Sequence, residues 1–517
     1  MVNFTGQAGV VPMTPQTTLI LAKGIPWDNQ YKHVRLFNSR DSLLSYVRAK
    51  AFKEIKNMSP IRMGDLVLQI PYNEMSASNC NYIAWQNLPF DEKWHFAFIT
   101  SIKPTGQNSC VVNFELDVWH ESYYDATLKP CFVDRCHVPK SDDIVGSNTV
   151  PENLELGYLK SQKHVDQVPP MDDNDMMIYL ATNMDNSGNT VSGDMTNGVY
   201  NATRFVVFNN ASEANSYIES LINFGGADSI VDCFMCPVSA GDDETAFLTM
   251  PKIVSGTIDG YAPKNNKLFT YPYNYLYGTN NTGAECEYRY EWFSTESCVF
   301  TWALPISTNP TLICYPNNYK GIVDNTLEGL TFSSYPKCAI AIDAYKAWLA
   351  QSGAGRVAET FSNMMGLDDK AQNVISWGLN TFLSSDGGGV LNALGGIQDS
   401  LKQTIKAVVQ SPRAKGQTGN NLLRALNKDH IDYYAIQVSK EYAEKIDSFW
   451  TQFGYPQKKI MDIDLNVRSK WNYIKTIDCA FTGNIELDLL SKFRSIFDNG
   501  VTIWHTDDIG NYSLENN

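Results

Sequence analysis

The sequence lacks any long apolar run. A single helix needs roughly 18 to 20 consecutive apolar residues to span a bilayer, and no stretch of the 517 residues approaches that length. The first residues, from Met1 to Gly6, carry no basic charge and no continuous apolar core, so we expect no signal peptide. Both absences argue against a membrane-spanning helix of the usual kind and against a secreted precursor.

The chain is also short of positive charge. Its 41 lysines and arginines face 56 aspartates and glutamates, which gives a net charge of −15. A protein that grips nucleic acid needs a basic surface that displaces counterions from the phosphates, so this class is excluded. An acidic wall repels phosphate, and a passage through which DNA slides without adhering therefore stays open.

Cysteine is sparse and irregularly spaced. Eleven cysteines are scattered from Cys80 to Cys479 without the spacing of a disulfide framework. This pattern is typical of a protein assembled in a reducing cytoplasm, where thiols act as small buried apolar groups. Cys233 and Cys236 have C-x-x-C spacing, but no second pair of ligands follows at the spacing that zinc needs. We therefore predict no metal site and no cofactor.

Enzyme signatures are missing as well. The sequence contains no G-x-S-x-G, H-E-x-x-H or P-loop motif. Cys131, Cys136 and His137 lie in a run that alternates like a strand, which favours a structural role. The two carboxylates that follow His505 are adjacent, so they point to opposite faces of an extended segment, and we predict a turn there. We predict no catalytic residue.

Aromatic residues, by contrast, are abundant. Tyr, Phe and Trp together make up 12% of the chain, a share that favours pleated, half-buried β surfaces. Hydrophobic residues make up 43% and charged residues 19%, which is typical of a globular protein. The length predicts roughly two to four domains.

The first 140 residues are patterned mainly as strands. Strands are predicted over residues 65–70, 94–99 and 111–119. In the first of them, Leu66, Leu68 and Ile70 share one face. In the last, Val118 is placed on the apolar face and Asp117 on the polar face. Residues 43–55 predict the one helix of this region.

Strand-like patterns return beyond a polar, proline-marked boundary at residues 140–170. Strands are predicted over residues 176–180, 203–208, 271–277 and 286–293. A helix is predicted over residues 211–224, helical stretches over 421–453, and β structure again over 471–512. We expect the N- and C-terminal parts to pack together.

Residues 351–420 break with this composition. Their apolar residues recur three or four positions apart in two runs, which is the spacing of one face of a helix, and three consecutive glycines separate the runs. This pattern predicts a helical hairpin with a glycine tip. Its candidate membrane-active residues are apolar: Phe361, Met364, Met365, Ile375, Trp377, Leu379, Phe382, Leu383, Val390, Leu391, Leu394, Ile397, Leu401 and Ile405. Its candidate hinge residues are glycines: Gly353, Gly355, Gly387, Gly388, Gly389, Gly416 and Gly419.

The hairpin has two interpretations. Amphipathic helices are commonly core elements. However, six basic and five acidic residues give this insert a charge of +1, so the rest of the chain carries −16. Gly378, Gly395 and Gly396 interrupt the helices, and each would cost roughly 1 kcal/mol in an ordinary helix. A near-neutral, apolar-faced insert in an acidic protein suits a segment that leaves the body and meets lipid.

Five segments resemble the distal tail-knob proteins of small short-tailed bacteriophages that infect Gram-positive bacteria. The segments are residues 25–32 (IPWDNQYK), 93–98 (KWHFAF), 113–118 (NFELDV), 131–138 (CFVDRCHV) and 496–513 (IFDNGVTIWHTDDIGNYS). The resemblance is good over about the first 140 and the last 100 residues and loose from roughly 150 to 350.

This resemblance implies a mainly β (α+β) fold, with β-barrel-like tube domains and the inserted amphipathic helical hairpin. The implied parts are an N-terminal β domain (1–140), an aromatic-rich β domain (150–345), the insert (351–420) and a C-terminal part of the knob body (421–517).

The implied function is structural. Six copies would form a hollow knob at the distal tip of the virion tail, assembled in the host bacterial cytoplasm. Adjoining tail proteins would be partners, and DNA would pass through the lumen without specific binding. The inserts would plug the tube and later form a pore in the host membrane.

Two other classes remain open at this point. A tail-associated glycan or cell-wall hydrolase would need two carboxylates a few ångströms apart in a cleft. A receptor-binding adhesion protein would carry exposed aromatic platforms.

Overall fold

The structure is a computed structural model of the chain. It describes residues 16–59, 65–88, 92–157, 160–170, 176–189, 195–196, 199–200, 204–224, 229–237, 246–305, 307, 309–320, 329–337, 423–424 and 426–517. The described residues fall into two compact units. The first unit is drawn from residues 1–159, 255–270 and 438–517, and the second from residues 160–254 and 271–437.

Strands dominate the described residues. The first nine are β1 (Thr17–Lys23), β2 (His33–Arg35), β3 (Ala51–Met58), β4 (Asp65–Leu68), β5 (Cys80–Asn87), β6 (Trp94–Gly106), β7 (Ser109–Leu116), β8 (Ala126–Leu128) and β9 (Cys131–Cys136). The next twelve are β10 (Lys160–Val168), β11 (Met176–Thr182), β12 (Met195–Thr196), β13 (Val199–Tyr200), β14 (Arg204–Phe208), β15 (Ile230–Pro237), β16 (Ala246–Pro251), β17 (Asn274–Thr279), β18 (Glu285–Tyr288), β19 (Ser297–Ala303), β20 (Leu312–Pro316) and β21 (Leu330–Phe332). The last five are β22 (Ile431–Val438), β23 (Tyr455–Met461), β24 (Trp471–Ile477), β25 (Phe481–Gly483) and β26 (Val501–Trp504).

The described α-helices lie between these strands. They are α1 (Arg40–Ala49), α2 (Tyr72–Ala77), α3 (Val118–Ser122), α4 (Ala211–Asn223), α5 (Lys440–Phe453) and α6 (Leu487–Asn499). Strand residues outnumber helical residues, so the predicted mainly β fold is confirmed. None of the helices in the described part of the chain is both long and apolar enough to cross a bilayer.

The first unit contains two large sheets and the two-stranded sheet β25-β8. A six-stranded antiparallel sheet has the order β3-β1-β5-β6-β7-β4, and a five-stranded sheet has the order β2-β26-β24-β9-β23. In the second sheet β2 is parallel to β26, and β9 is antiparallel to both β23 and β24. Strands from the two ends of the chain thus share one sheet, and the expected packing of the N- and C-terminal parts is confirmed.

The first helix differs from its predicted bounds. The sequence predicts a helix over residues 43–55, but α1 begins at Arg40 and ends at Ala49. A capping box fixes its start, because the Ser39 hydroxyl accepts from the Ser42 amide and the Ser42 side chain returns to the Ser39 backbone. Residues 51–58 form β3 instead, since pairing with β1 places Phe52 and Ile55 against the core of the six-stranded sheet.

The strand predicted over residues 111–119 also ends early. It stops at Leu116, and α3 begins at Val118 with Asp117 as its N-cap. Asp117 was predicted to lie on the polar face, yet it is fully buried. Its carboxylate accepts from the Tyr82 hydroxyl at 2.7 Å and lies 2.7 Å from Nδ1 of His120. Burial is possible because these partners replace water.

The second unit is an assembly of smaller sheets around an aromatic core. The sheets have the orders β10-β22-β17-β18, β14-β11-β15, β16-β19-β20-β21 and β12-β13. Tyr179, Phe234, Tyr288, Phe300 and Tyr433 belong to one buried cluster, in which the rings of Phe300 and Tyr433 lie 4.9 Å apart. The abundance of aromatics predicted such β surfaces, and here they fill the interior.

Predictions for the later elements had mixed outcomes. The helix predicted over residues 211–224 is confirmed as α4, with Ala214 and Ile218 buried against its sheet. The helical stretches predicted over 421–453 are confirmed by α5, but the prediction missed β22, because residues 431–438 form a strand inside its sheet. The prediction of β structure throughout 471–512 missed α6, whose Phe493 and Phe497 pack into the first unit's core.

Gly454 is a position where only glycine fits. Its φ is +64°, and a Cβ would lie 2.2 Å from the carbonyl oxygen of Cys136. We expect Gly454→Ala to lower the free energy of unfolding by about 2 kcal/mol or more, through backbone strain and collision. The urea midpoint of the full chain, followed by tryptophan fluorescence, measures this loss.

Gly510→Ala provides the control. Gly510 has a φ of +89°, but a Cβ there would meet nothing within 4 Å, so only strain of about 1 kcal/mol is added. Equal losses in the two variants would show that the Cys136 carbonyl is not the reason for glycine at position 454.

Candidate functional site

The predicted hairpin lies outside the described residues. This applies to every candidate membrane-active residue from Phe361 to Ile405 and to every candidate hinge glycine from Gly353 to Gly419. The structure does describe the two segments that flank this region, residues 329–337 before it and 423–432 after it, leaving out 425. We call these flanking segments, together with the side chains that they contact, the root.

The outgoing side of the root is fixed to β15. The amide of Met235 donates to the carbonyl of Pro336 at 2.8 Å, and Lys337 forms an isolated β-bridge with Phe234. The Lys337 ammonium pairs with the carboxylate of Asp232 and lies 5.0 Å from the centroid of the Phe234 ring. Backbone, charge and cation–π contacts therefore hold the last described residues before position 338.

The returning side enters the same core. Leu423 is buried in the aromatic cluster of the second unit, and its carbonyl accepts from the amide of Lys428 at 2.7 Å. Arg424 Nη1 lies 3.6 Å from the carboxylate of Asp429, whose side chain is 1% exposed. A buried carboxylate needs such a partner, because an isolated charge in the interior is strongly disfavoured.

Asp432 is the electrostatic centre of the root. Its buried carboxylate accepts from Lys428 Nζ at 2.6 Å and from Asn281 Nδ2 at 3.1 Å. Nε2 of His430 and Nε2 of His164 lie 2.8 and 3.1 Å away. His164 is on β10, Asp432 on β22 and Asn281 just beyond β17, so one carboxylate joins three neighbouring strands.

The hydrogen bonds outweigh the cost of burial at this carboxylate. Burial alone would raise the pKa of Asp432, but His430 and Lys428 hold it well below its ordinary value. Burial would likewise lower the pKa of Lys428, whereas its bonds to Asp432 and to the Tyr434 hydroxyl raise it. Lys428 and Asp432 therefore both stay charged at neutral pH, as a rigid ion pair rather than a reacting pair.

This cluster was not predicted from the sequence, although a signal was present. Lys428, His430 and Asp432 are two residues apart, and that spacing places side chains on one face of an extended chain. The polar character of the segment predicted helix instead.

The cysteine candidates occupy structural positions. Cys233 and Cys236 are buried in β15, and burial raises the pKa of the Cys236 thiol. Cys131 and Cys136 are buried at the two ends of β9. Buried thiols with raised pKa values are unreactive.

The histidine candidates are engaged in separate contacts. His137 lies between the Thr451 carbonyl and the Tyr473 amide, and burial lowers its pKa to about 3. Nε2 of His505 lies 2.8 Å from the Asn472 amide nitrogen, while Asp507 pairs with Arg35. Across the described residues, no group of three or more His, Cys, Asp or Glu side chains is placed to hold a metal ion.

Comparisons with known proteins define the class. The family model "Caudoviral major tail protein N-terminus" matches residues 15–127. The model of the C-terminal domain of tail knob protein gp9 of Bacillus phage phi29 matches residues 243–517, which is more than half of the chain. The protein is therefore a structural component of a bacteriophage tail. Within that class, the chain belongs to the phi29 gp9 tail knob family.

Whole-chain similarities agree with this assignment. The chain is 22% identical to tail knob protein gp9 of Bacillus phage phi29, over 98% of this chain and 99% of the relative. It is also 22% identical to the gp9 of Bacillus phage B103, over 97% and 98%. The fold is similar to that of the bacteriophage C1 tail knob protein gp12, with a TM-score of 0.60 at 14% identity over 97% of this chain and 99% of that one.

The resemblance found in the sequence is thus confirmed. Because the relatives are tail knob proteins, the chain is a structural virion protein and not an enzyme. The hydrolase and adhesion alternatives are not favoured.

Asp432→Asn tests the electrostatic centre of the root. The folded-state pKa of Asp432 is depressed, so its contribution to stability is complete above the unfolded value of about 4 and is lost as the pH falls through the folded pKa. We expect the variant to lose about 3 kcal/mol of unfolding free energy at pH 7. Urea unfolding at several pH values should show this loss shrinking below about pH 4.

Glu296→Gln is the matched control, since Glu296 is an exposed carboxylate of the same unit. We expect it to change stability by less than about 0.5 kcal/mol. A loss at Asp432→Asn that does not depend on pH would count against a charged carboxylate at this position.

Proposed function

We propose that six copies of the chain form a hollow knob at the distal tip of the tail, that DNA passes through its lumen, and that the apolar inserts plug the lumen and then form a pore in the host membrane. The observation that carries the proposal is the root. The described segments on either side of residues 338–422 are both held in one core by charged, hydrogen-bonded contacts. An apolar insert held in this way can change its surroundings while the body stays folded.

Charge supports the conduit. With −15 on each copy, a ring of six presents a strongly acidic assembly, and an acidic wall lets DNA move without adhering. Lys337, Arg424 and Lys428 of the second unit are each paired with a carboxylate, so these cations are already engaged.

Composition supports the plug and the pore. One hairpin has no apolar run long enough to span a bilayer, but six hairpins together provide enough apolar surface. The small residues Gly378, Gly395 and Gly396 allow close helix packing in lipid. In the closed knob the same apolar faces are buried against neighbouring copies, which keeps them from water.

The remaining partners follow from this role. Adjoining tail proteins hold the knob, and the host membrane receives the inserts. Assembly takes place in the host cytoplasm, in agreement with the free thiols of the described cysteines, all of which except Cys286 are buried.

Dye release from vesicles tests the pore. The full chain is compared with a version in which residues 353–419 are replaced by a short Gly-Ser linker, at neutral and mildly acidic pH. We expect release by the full chain only. An absence of release by both proteins under every condition contradicts the membrane role and leaves the insert as a plug.

A substitution pair tests the second helix. We expect Ile397→Asp with Leu401→Asp to abolish dye release, because two charges on the apolar stripe oppose insertion into lipid. The control pair, Asn392→Asp with Gln403→Asp, adds the same charge on the face opposite the stripe and should retain release. Equal release by the two pairs would mean that this helix does not enter the bilayer.

A further inference from the structure

Three apolar side chains lie in register on the surface of the first unit. Phe132 on β9 is directly opposite Ile460 on β23 and Ile477 on β24. Directly opposite residues of antiparallel strands share one face of the sheet. Ile460 is 73% exposed and Ile477 is 55% exposed. We call these three side chains the outer row.

The alternation of the strands explains why the row faces outward. The next pair across β9 and β24 is Val133 with Thr476, and both are buried. Thr476 donates to Asp498 of α6 at 2.6 Å, so that face of the sheet is covered by α6. Phe132 and Ile477 therefore lie on the opposite face.

The opposite face is covered only at one end in the described structure. There the Arg135 guanidinium lies 4.8 Å from the Phe449 ring of α5, and the Tyr473 and Phe453 rings are 5.1 Å apart. The outer row lies toward the other end of the strands, beyond α5. Apolar side chains that align across three adjacent strands, two of them exposed and Phe132 half-buried, mark an interaction surface, unlike a single exposed apolar residue.

The surroundings of the row are polar and rich in lysine. Lys475 lies 3.6 Å from Asp134 on the same face, and Lys458 lies two residues before Ile460 on the edge strand. Lys459, in contrast, is opposite Val133 and so lies on the other face. Lys458 has a φ of +49° where the pairing of β23 is irregular. Lysines and an irregular edge oppose the addition of another strand, so a partner would pack on the face of the sheet. An apolar centre with a polar rim is the anatomy of a protein interface.

We propose that the outer row is the centre of the contact with a second copy of this chain. Lys458 and Lys475 at its border complement an acidic surface patch, and a chain with a net charge of −15 has an excess of carboxylates to supply one. In a closed ring, each copy contacts its neighbour through two different surfaces, and the outer row is one of these surfaces. This inference rests on the proposed ring.

Photo-crosslinking in assembled tails tests the contact. A benzophenone amino acid replaces Ile460 in phage particles, and the products of illumination are separated by mass. We expect a covalent dimer of this chain. The control position is Leu487, which is 85% exposed and apolar but lies at the start of α6, and no dimer is expected there.

Each other outcome has a definite meaning. Crosslinks from position 460 to a different tail protein, or no crosslinks, overturn the assignment. If native mass spectrometry then still shows a six-copy knob, the outer row is not the contact between copies, while the proposed ring stands. If the knob has fewer copies, the ring itself fails.

A variant pair provides an independent measurement. Ile460→Gln with Ile477→Gln keeps side-chain size and charge but removes apolar surface. We expect an unchanged urea midpoint, because the residues are exposed, and at least a tenfold loss of incorporation into tails, with Leu487→Gln incorporated normally. Normal incorporation of the double variant would overturn the proposal.

Discussion

The first unit depends on buried carboxylates that bind residues 255–270, a segment whose neighbours in the chain on both sides belong to the second unit. Asp447 of α5 is fully buried and accepts from the Lys264 amide at 2.8 Å, the Asn265 amide at 3.0 Å and the Asn265 side chain at 2.8 Å. A few residues on, Lys267 is buried with its ammonium 2.5 Å from Glu152. Residues 255–270 therefore join the N-terminal and C-terminal segments of the unit. Removing either partner of such a buried pair is far more damaging than the net value of the pair suggests.

Alternation and helical spacing predicted the strands and helices in which the spacing of apolar residues alone determines which side chains are buried. Leu66, Leu68 and Ile70 alternate and are buried as predicted, and α4 follows its helical spacing. The failures occur where distant residues decide the outcome. Asp117 is buried because the Tyr82 hydroxyl and the His120 ring hydrogen-bond its carboxylate. Residues 51–58 form a strand because they pair with β1. No local pattern contains that information.

The root shows the same division between local and distant determinants. The composition of residues 351–420 locates the insert in the sequence, but it says nothing about how its ends are held. Those contacts come from β15, β10 and the end of β17, which are far away in the chain. The family assignment gives the class of protein, whereas the Asp432 cluster shows how the described residues that follow position 422 are held in the second unit.

The divided first unit has a consequence for synthesis. Residues 438–517 supply β23, β24 and β26, which are three of the five strands of one sheet. Synthesis runs from the N- to the C-terminus, so the residues of the second unit all emerge from the ribosome before these strands exist. Domains fold in the order in which their residues become available. During that interval Glu152 has Lys267 but not Trp450, and the acceptor of Asn265 has not been made. The nascent chain thus already contains the apolar residues of 351–420 before the five-stranded sheet of the first unit can form. During this period a chaperone or a neighbouring nascent copy has access to the nascent chain.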